Sequence, residues 1–135
     1  FVGGLAGVVF SFLFSKTASL GASTAIFGLL GAQGVFIYQN RKLYRNARSM
    51  LMNLFMILAI NLVMGFSGIF DNWGHLGGLL GGLAYSWLAG PLWEAQRSAD
   101  GIDVLDKRSP RNARIIGIGL LLYFILMGVI GIIRY

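Results

Sequence analysis

The chain has 135 residues and a formal net charge of +6, with 56% hydrophobic and only 12% charged residues. Soluble domains average about 45–50% apolar and about 25% charged residues, so the composition excludes an ordinary soluble domain and indicates a membrane protein. The chain contains no cysteine, which excludes disulfides, thiolate metal sites and a cysteine nucleophile within it.

Five apolar runs predict an all-α fold, a polytopic transmembrane helix bundle. The runs cover residues 1–14, 22–39, 49–67, 72–89 and 115–133. The first run is shorter than the ~20 residues that a spanning helix needs, and the other four approach that length. Phe1 is not an initiator Met, and no basic segment precedes the apolar start. We therefore expect the numbering to begin inside a longer protein.

Positive charges concentrate in two connections between the runs. They are Arg41, Lys42, Arg45 and Arg48 in connection 40–48, and Arg97, Lys107, Arg108, Arg111 and Arg114 in connection 90–114. The positive-inside rule then predicts that both connections face the inner side of the membrane. The alternative is a lipid-headgroup or partner site, and we expect no nucleic-acid partner. Connection 90–114 is polar and is predicted to be irregular or partly helical.

His75 is the only histidine and lies about one turn into run 72–89. An ionisable side chain inside a span is costly to bury, which favours a functional role. The alternative is a shallow histidine satisfied by water or a headgroup. Gly78 and Gly82 share its helix face and form a G-x-x-x-G pair, so a neighbouring helix can approach closely. We expect these glycines to contact run 22–39 near Phe27, Gly31 or Ala32.

Ser23 opens run 22–39, which the predicted topology starts at the same outer surface as run 72–89. Ser23 and His75 are therefore expected at a similar shallow depth. A serine hydroxyl is a poor nucleophile until an adjacent base removes its proton, which favours pairing with His75. The alternatives for Ser23 are a helix cap and a bond back to a carbonyl. For the pair, we expect Ser23 Oγ and His75 Nε2 to lie near hydrogen-bonding distance, ~2.6–3.2 Å.

Two stretches resemble motifs of the rhomboid family. Residues 21–28, GASTAIFG, resemble its G-x-S-G nucleophile motif, and residues 75–82, HLGGLLGG, resemble its H-x-x-G-x-x-x-G motif. The resemblance covers essentially the whole chain. It implies a partial rhomboid domain over residues 1–135, in which the first four runs are helices three to six of a six-helix core. The last run would be an added seventh helix.

The resemblance implies an intramembrane serine endopeptidase that cleaves transmembrane protein substrates through a Ser–His dyad. Ser23 would be the nucleophile and His75 the general base, with no acidic third member, no cofactor and no metal. Gly21 would belong to the nucleophile motif, and the ring of Phe27 would pack on the histidine; the alternative for Phe27 is ordinary lipid or core packing. Asp71 is expected to be a loop residue. The host would be a bacterial plasma membrane or an organelle membrane.

Two departures from the family pattern stand out. Thr24 replaces the usual glycine, and its β-branched side chain is expected either to crowd the turn or to line the cavity. The family's histidine and asparagine oxyanion-hole donors belong to its second helix, which would precede residue 1. Losing one donor typically costs ~10²–10³ in turnover, so the chain alone is expected to be inactive. Two alternatives stay open: an inactive rhomboid-like protein that binds transmembrane clients, and a transporter.

Overall fold

The computed structural model describes residues 1–15, 22–65, 71–98 and 101–134. Its helices are α1 (Val2–Phe14), α2 (Ser23–Gln39), a 3₁₀ turn (Arg41–Leu43), α3 (Ala47–Gly65), α4 (Asn72–Ala89) and α5 (Pro110–Arg134). An antiparallel hairpin of β1 (Trp93–Ser98) and β2 (Gly101–Asp106) lies between α4 and α5. The predicted fold class, a helical bundle, is confirmed.

The prediction for connection 90–114 is right in part. Its last residues are helical, as the first turn of α5, but Trp93–Ser98 and Gly101–Asp106 form the hairpin, which was not predicted. Alternating residues pair across the strands, with Ala95 opposite Val104. Gly101 opens β2 with φ of +145°, a backbone conformation that favours glycine. Pro110 suits the first position of α5, where a missing N–H removes no helical hydrogen bond.

One ion pair joins the base of the hairpin to the start of the next segment. Lys107 Nζ lies 2.6 Å from Glu94 Oε2, with both side chains about half exposed. The hydrogen bond from Lys107 lowers the pKa of the Glu94 carboxyl. Because exposed pairs are screened by water and salt, this contact adds little to stability.

The contact between α2 and α4 is built from small residues spaced four apart. A Cβ added to Gly78 would collide with the backbone oxygen of Thr24, and one added to Gly82 would collide with that of Gly28. One turn further along, Ser86 Oγ donates a hydrogen bond to the carbonyl of Ala32 at 3.0 Å. The two helices therefore meet backbone to backbone, as small-residue repeats allow.

This contact corrects the predicted packing of the glycines. The predicted partner helix is right, but the α2 atoms nearest to Gly78 and Gly82 belong to Thr24 and Gly28 rather than to Phe27, Gly31 or Ala32. Gly31 instead faces Leu79. The contact is formed by residues spaced four apart on one face of α2, namely Thr24, Gly28 and Ala32. Gly31 does not belong to this row.

Helix α1 packs into the same small-residue contact from its other side. A Cβ on Gly3 would lie 2.8 Å from Gly28 Cα and 3.0 Å from the oxygen of Gly78. A Cβ on Gly7 would lie 2.7 Å from the oxygen of Gly74. Helices α1, α2 and α4 therefore form one closely packed core, which we call the glycine core.

Helices α3 and α5 lie outside the glycine core and are mostly exposed; α3 packs mainly on α2, and α5 packs on α1 and α4. Within the described residues they are the two helices long and apolar enough to cross a membrane. Only Leu54 and Gly65 of α3, and Phe124 and Gly131 of α5, are buried. Two apolar helices with bare outer faces would be unusual in a soluble protein, and they suit a lipid environment.

The two basic connections lie at the same end of the bundle. The buried Asn40 side chain donates from Nδ2 to the carbonyl of Pro91 at 3.0 Å and accepts from the N–H of Trp93 at 2.6 Å. The connection after α2 is thereby joined to the start of the hairpin. We call this the basic end and the opposite end, where α2 and α4 begin, the site end. The predicted outer connections lie largely outside the described residues.

Candidate active site

Ser23 and His75 lie at the site end, on neighbouring helices. Ser23 is the first residue of α2, and His75 is the fourth residue of α4. Both line a cavity of about 310 Å³. His75 is 4% exposed, whereas Ser23 is half-buried. The two residues that the sequence pairs by depth are therefore brought to one cavity, and their direct hydrogen bond stays a prediction.

Phe27 holds the plane of the histidine ring. It follows Ser23 by one helical turn, and its ring stacks on that of His75 with centroids 4.2 Å apart and planes 6° apart. Phe27 is only 4% exposed, so the alternative of packing against lipid is wrong. Stacked aromatic pairs contribute about 0.5–1.5 kcal/mol beyond the area that they bury. The imidazole is thus fixed in orientation by a residue of the helix that carries the serine.

Asp71 caps the helix that carries His75. Its Oδ1 accepts a hydrogen bond from the N–H of Gly74 at 3.0 Å, which satisfies one of the unpaired donors in the first turn of α4. As expected, Asp71 is not part of a helix. Its capping role was missed, although an Asp immediately before an apolar run is a typical helix-start signal.

Asn72 joins the start of α4 to the end of α3. Its Nδ2 donates to the carbonyl of Leu62 at 3.3 Å. A Cβ added to Gly65 would collide with the Asn72 side-chain amide, so this approach depends on glycine. The contact holds the last turn of α3, at the site end, beside the first turn of α4.

Thr24 is not among the residues that line the cavity, so the expectation that it lines the cavity is wrong. The turn before it includes Gly21, which lies outside the described residues, so crowding of that turn stays a prediction. The Thr24 side chain is 7% exposed and packs between α1 and α4. A Cβ on Gly74 would lie 2.9 Å from Thr24 Cγ2, and one on Gly7 would lie 2.5 Å from Thr24 Cβ. Adjacent helical residues point about 100° apart, so when Ser23 faces the cavity, Thr24 faces the glycine core.

Helix α3 supplies a third wall of the cavity that sequence analysis missed. Ile57, Asn61 and Met64 line it and share one face at helical spacing. Asn61 is the polar member, and its Nδ2 donates to the carbonyl of Ile57 at 2.8 Å. A polar residue within an apolar run was the available signal. Gly21, the remaining predicted motif residue, lies outside the described residues.

The cavity offers chemistry based on a hydroxyl and an imidazole. Its other lining side chains are apolar except for Asn61. Among the described residues, no group of three or more His, Asp or Glu side chains is placed to hold a metal ion. The arrangement suits nucleophilic attack by Ser23 with His75 as the proton acceptor.

Comparison with known proteins relates this chain to one family. Residues 1–92 match the family model for the rhomboid domain. Rhomboid protease GluP of Bacillus subtilis (strain 168) is 46% identical over 80 residues, which cover 58% of this chain and 15% of that protein. RHOMBOID-like protein 2 of Arabidopsis thaliana is 41% identical over 102 residues, which cover 72% of this chain and 32% of that protein. No solved structure matches the chain.

The fold and the matches define a helical membrane protein. More particularly, the chain belongs to the rhomboid family. The matched region ends one residue before β1 and contains α1 to α4, the helices that build both the glycine core and the cavity. The chain spans less than a third of the length of these two relatives, 15% and 32%.

Proposed function

We propose that the full-length protein is an intramembrane serine endopeptidase that cleaves transmembrane protein substrates. Ser23 is the nucleophile and His75 is the general base. The observation that carries the proposal is that both side chains line one cavity at the site end, with His75 stacked on the buried Phe27. The similarity to a relative named as a rhomboid protease supports it.

The reaction follows from these two groups. As Ser23 Oγ attacks the substrate carbonyl carbon, His75 takes the hydroxyl proton, and the imidazolium then protonates the departing amine as the C–N bond breaks. The product is an acyl ester on Ser23. Water attacks this ester with His75 again as the base, which releases the carboxylic acid and restores the serine.

The position of the pair suits both steps. Ser23 lies at the N-terminal end of α2, where the helix dipole favours negative charge on the tetrahedral intermediate. Hydrolysis of the ester needs water, and a cavity at the helix ends is closer to the aqueous surface than the middle of a span. Further oxyanion donors are expected from parts of the full-length protein outside this chain.

Removal of each reacting group tests the proposal. In the full-length protein, Ser23→Ala and His75→Ala should each abolish cleavage of a transmembrane substrate, and the double variant should be little worse than either single one, because the two groups act as a unit. The matched control is Ser49→Ala, which removes an exposed hydroxyl from α3 at the basic end and should leave the rate unchanged.

A serine-directed phosphonate probe separates the proposal from its competitor. An active protease should be labelled at Ser23 in the wild type and unlabelled in Ser23→Ala. An inactive rhomboid-like protein that binds transmembrane clients would show neither labelling nor cleavage. Cleavage by Ser23→Ala at the wild-type rate would overturn the serine mechanism.

The pH dependence gives a second test of the base. Only neutral imidazole can accept a proton, so the cleavage rate should rise as the pH increases through the pKa of His75. Measurement of kcat/KM from about pH 5 to 8 should show one ascending ionisation. A profile that is flat over this range would contradict a histidine base.

We also infer a multi-pass arrangement in a bacterial plasma membrane or an organelle membrane, with the basic end inside. Because the chain contains no cysteine, single cysteines can serve as reporters. An impermeant maleimide added from outside should label a cysteine at the exposed Ala22, at the site end, and spare one at Lys42. Labelling of both positions, or of Lys42 alone, would contradict this orientation.

A further inference from the structure

A second groove lies at the basic end, away from the cavity that holds Ser23 and His75. It has a volume of about 420 Å³ and runs between the last turn of α2 and the first turns of α3. Its walls are the apolar side chains of Leu51, Met52 and Phe55 with the ring of Tyr38. Arg41 and Arg48 border the same groove, so it combines an apolar interior with two guanidinium groups.

The geometry holds one of these guanidinium groups in a defined position. Arg41 lies over the ring of Tyr38, with Cζ 4.6 Å from the ring centroid, and its Nη1 donates to the Tyr38 carbonyl at 2.9 Å. Arg48 is in the first turn of α3, beside Ala47, which also lines the groove. The positive end of the helix dipole is therefore added to the two side-chain charges.

Among the described residues, no carboxylate lines the groove. Residues 1–70 contain no Asp or Glu. The groove's neighbour, the hairpin, carries three described carboxylates. Glu94 pairs with Lys107 and lies near Lys42, Asp106 accepts hydrogen bonds from the N–H groups of Leu92 and Arg108, and Asp103 is on the exposed strand β2. The groove therefore favours an anion, and its apolar walls favour a hydrocarbon chain attached to that anion.

We propose that this groove binds an anionic phospholipid of the inner leaflet. The phosphate lies between Arg41 and Arg48 at the start of α3, and an acyl chain follows the apolar wall toward Phe55. Phe55 is seven residues beyond Arg48, roughly 10 Å deeper along the helix. A groove of about 420 Å³ is too small for a transmembrane helix ~10–12 Å in diameter but accepts an acyl chain.

The site is independent of the proposed catalysis and can be tested without it. Native mass spectrometry of the full-length protein in mixed micelles, titrated with phosphatidylglycerol against phosphatidylcholine, would count the bound lipids. The double variant Arg41→Gln, Arg48→Gln should weaken phosphatidylglycerol binding about thirty-fold, since each basic residue near a lipid surface contributes a several-fold preference for anionic lipid.

The matched control is the double variant Lys42→Gln, Arg45→Gln. It removes the same charge from the same connection, and neither residue lines the groove. We expect a loss at least ten-fold smaller than that of the arginine pair. Equal losses would show diffuse attraction alone and would overturn the site. An unfolding midpoint in mixed micelles equal to that of the wild type would show that the fold survives in both variants.

Two further measurements test the acyl chain. Ala47→Phe adds volume to the groove while both arginines remain, and it should reduce phosphatidylglycerol binding about ten-fold or more. Binding equal to that of the wild type would show that the acyl chain does not lie in this groove and would overturn the proposed lipid position. Inorganic phosphate in millimolar excess should not displace the lipid, and displacement would mean a site for free anions instead.

Discussion

The helices of the glycine core and the outer helices α3 and α5 differ in how closely they pack against their neighbours. In the core, α1, α2 and α4 bring backbones into contact through residues such as Gly28 and Gly78. Helix α5 is long and apolar enough to cross a membrane, yet only Phe124 and Gly131 are buried. Apolar side chains alone thus do not decide which helices of this molecule are buried, because α1 and α5 are both apolar and only α1 lies in the core.

The difference teaches what holds helices together in lipid. Lipid tails are as apolar as leucine, so burial of apolar side chains between helices gains little, and close van der Waals packing decides which helices associate. The cavity lies between the glycine core and the outer helix α3. The glycine core supplies Ser23, Phe27 and His75, and α3 supplies Ile57 and Asn61.

The largest effect should come from a side chain added to the core contact. Gly78→Leu would drive atoms into the backbone of Thr24, so we expect a loss of about 3 kcal/mol or more in the free energy of unfolding, with loss of cleavage. Gly119→Leu is the matched change on α5, where nothing lies within 4 Å of an added Cβ. It should be nearly neutral. Unfolding of the full-length protein in mixed micelles measures both.

If both leucine variants lost the same stability, glycine would matter through the chain's flexibility rather than through its neighbours. If both were neutral, the backbone contact between α2 and α4 would not be the one that holds the core. Either result would contradict the conclusion that close backbone packing stabilises the glycine core but not the outer helices.

A smaller effect is expected when an aromatic ring is removed from each region. Phe27→Leu loses the stack on His75 and should cost about 1.5–2 kcal/mol with a drop in cleavage rate. Phe55→Leu changes a ring on α3 that is 65% exposed, and it should cost less than about 0.5 kcal/mol. Comparison of the fall in rate with the fall in stability shows whether Phe27 orients the base. Unchanged cleavage by Phe27→Leu would contradict that role.

Much of this architecture follows from sequence because it rests on one-dimensional signals. Apolar runs indicate the helices, and basic connections indicate which ends share a side. The pairing of Ser23 with His75 needs only their positions at the starts of two helices that run in the same direction. These inferences require no knowledge of how the helices are rotated.

The remaining features depend on rotation and on contacts distant in sequence. Helix α2 presents two small-residue rows, and the sequence does not choose between the row of Gly28 and that of Gly31. Helix α3 carries Asn53 as well as Asn61 within its apolar run, so the pattern marks both positions without revealing that Asn61 faces the cavity. The hairpin was missed because strands of six residues in a polar connection give a weak alternation signal.

The smallest effect is expected at Asp71. It distinguishes a carboxylate that caps α4 from one that takes part in catalysis. As the N-cap of α4, Asp71 can be replaced by Asn with little loss, because an amide oxygen accepts the same bond from Gly74. Asp71→Ala should cost about 1 kcal/mol and loosen the turn that carries His75. Asp103→Ala, on the exposed strand β2, should cost nothing measurable.

If Asp71 instead acted as an acidic third member, Asp71→Asn would lower kcat by orders of magnitude while stability stayed unchanged. We expect the opposite pattern, with Asn close to the wild type in both stability and cleavage and Ala modestly reduced in both. Chemical denaturation and cleavage rates of the three variants therefore separate a residue that holds the helix from one that takes part in proton transfer.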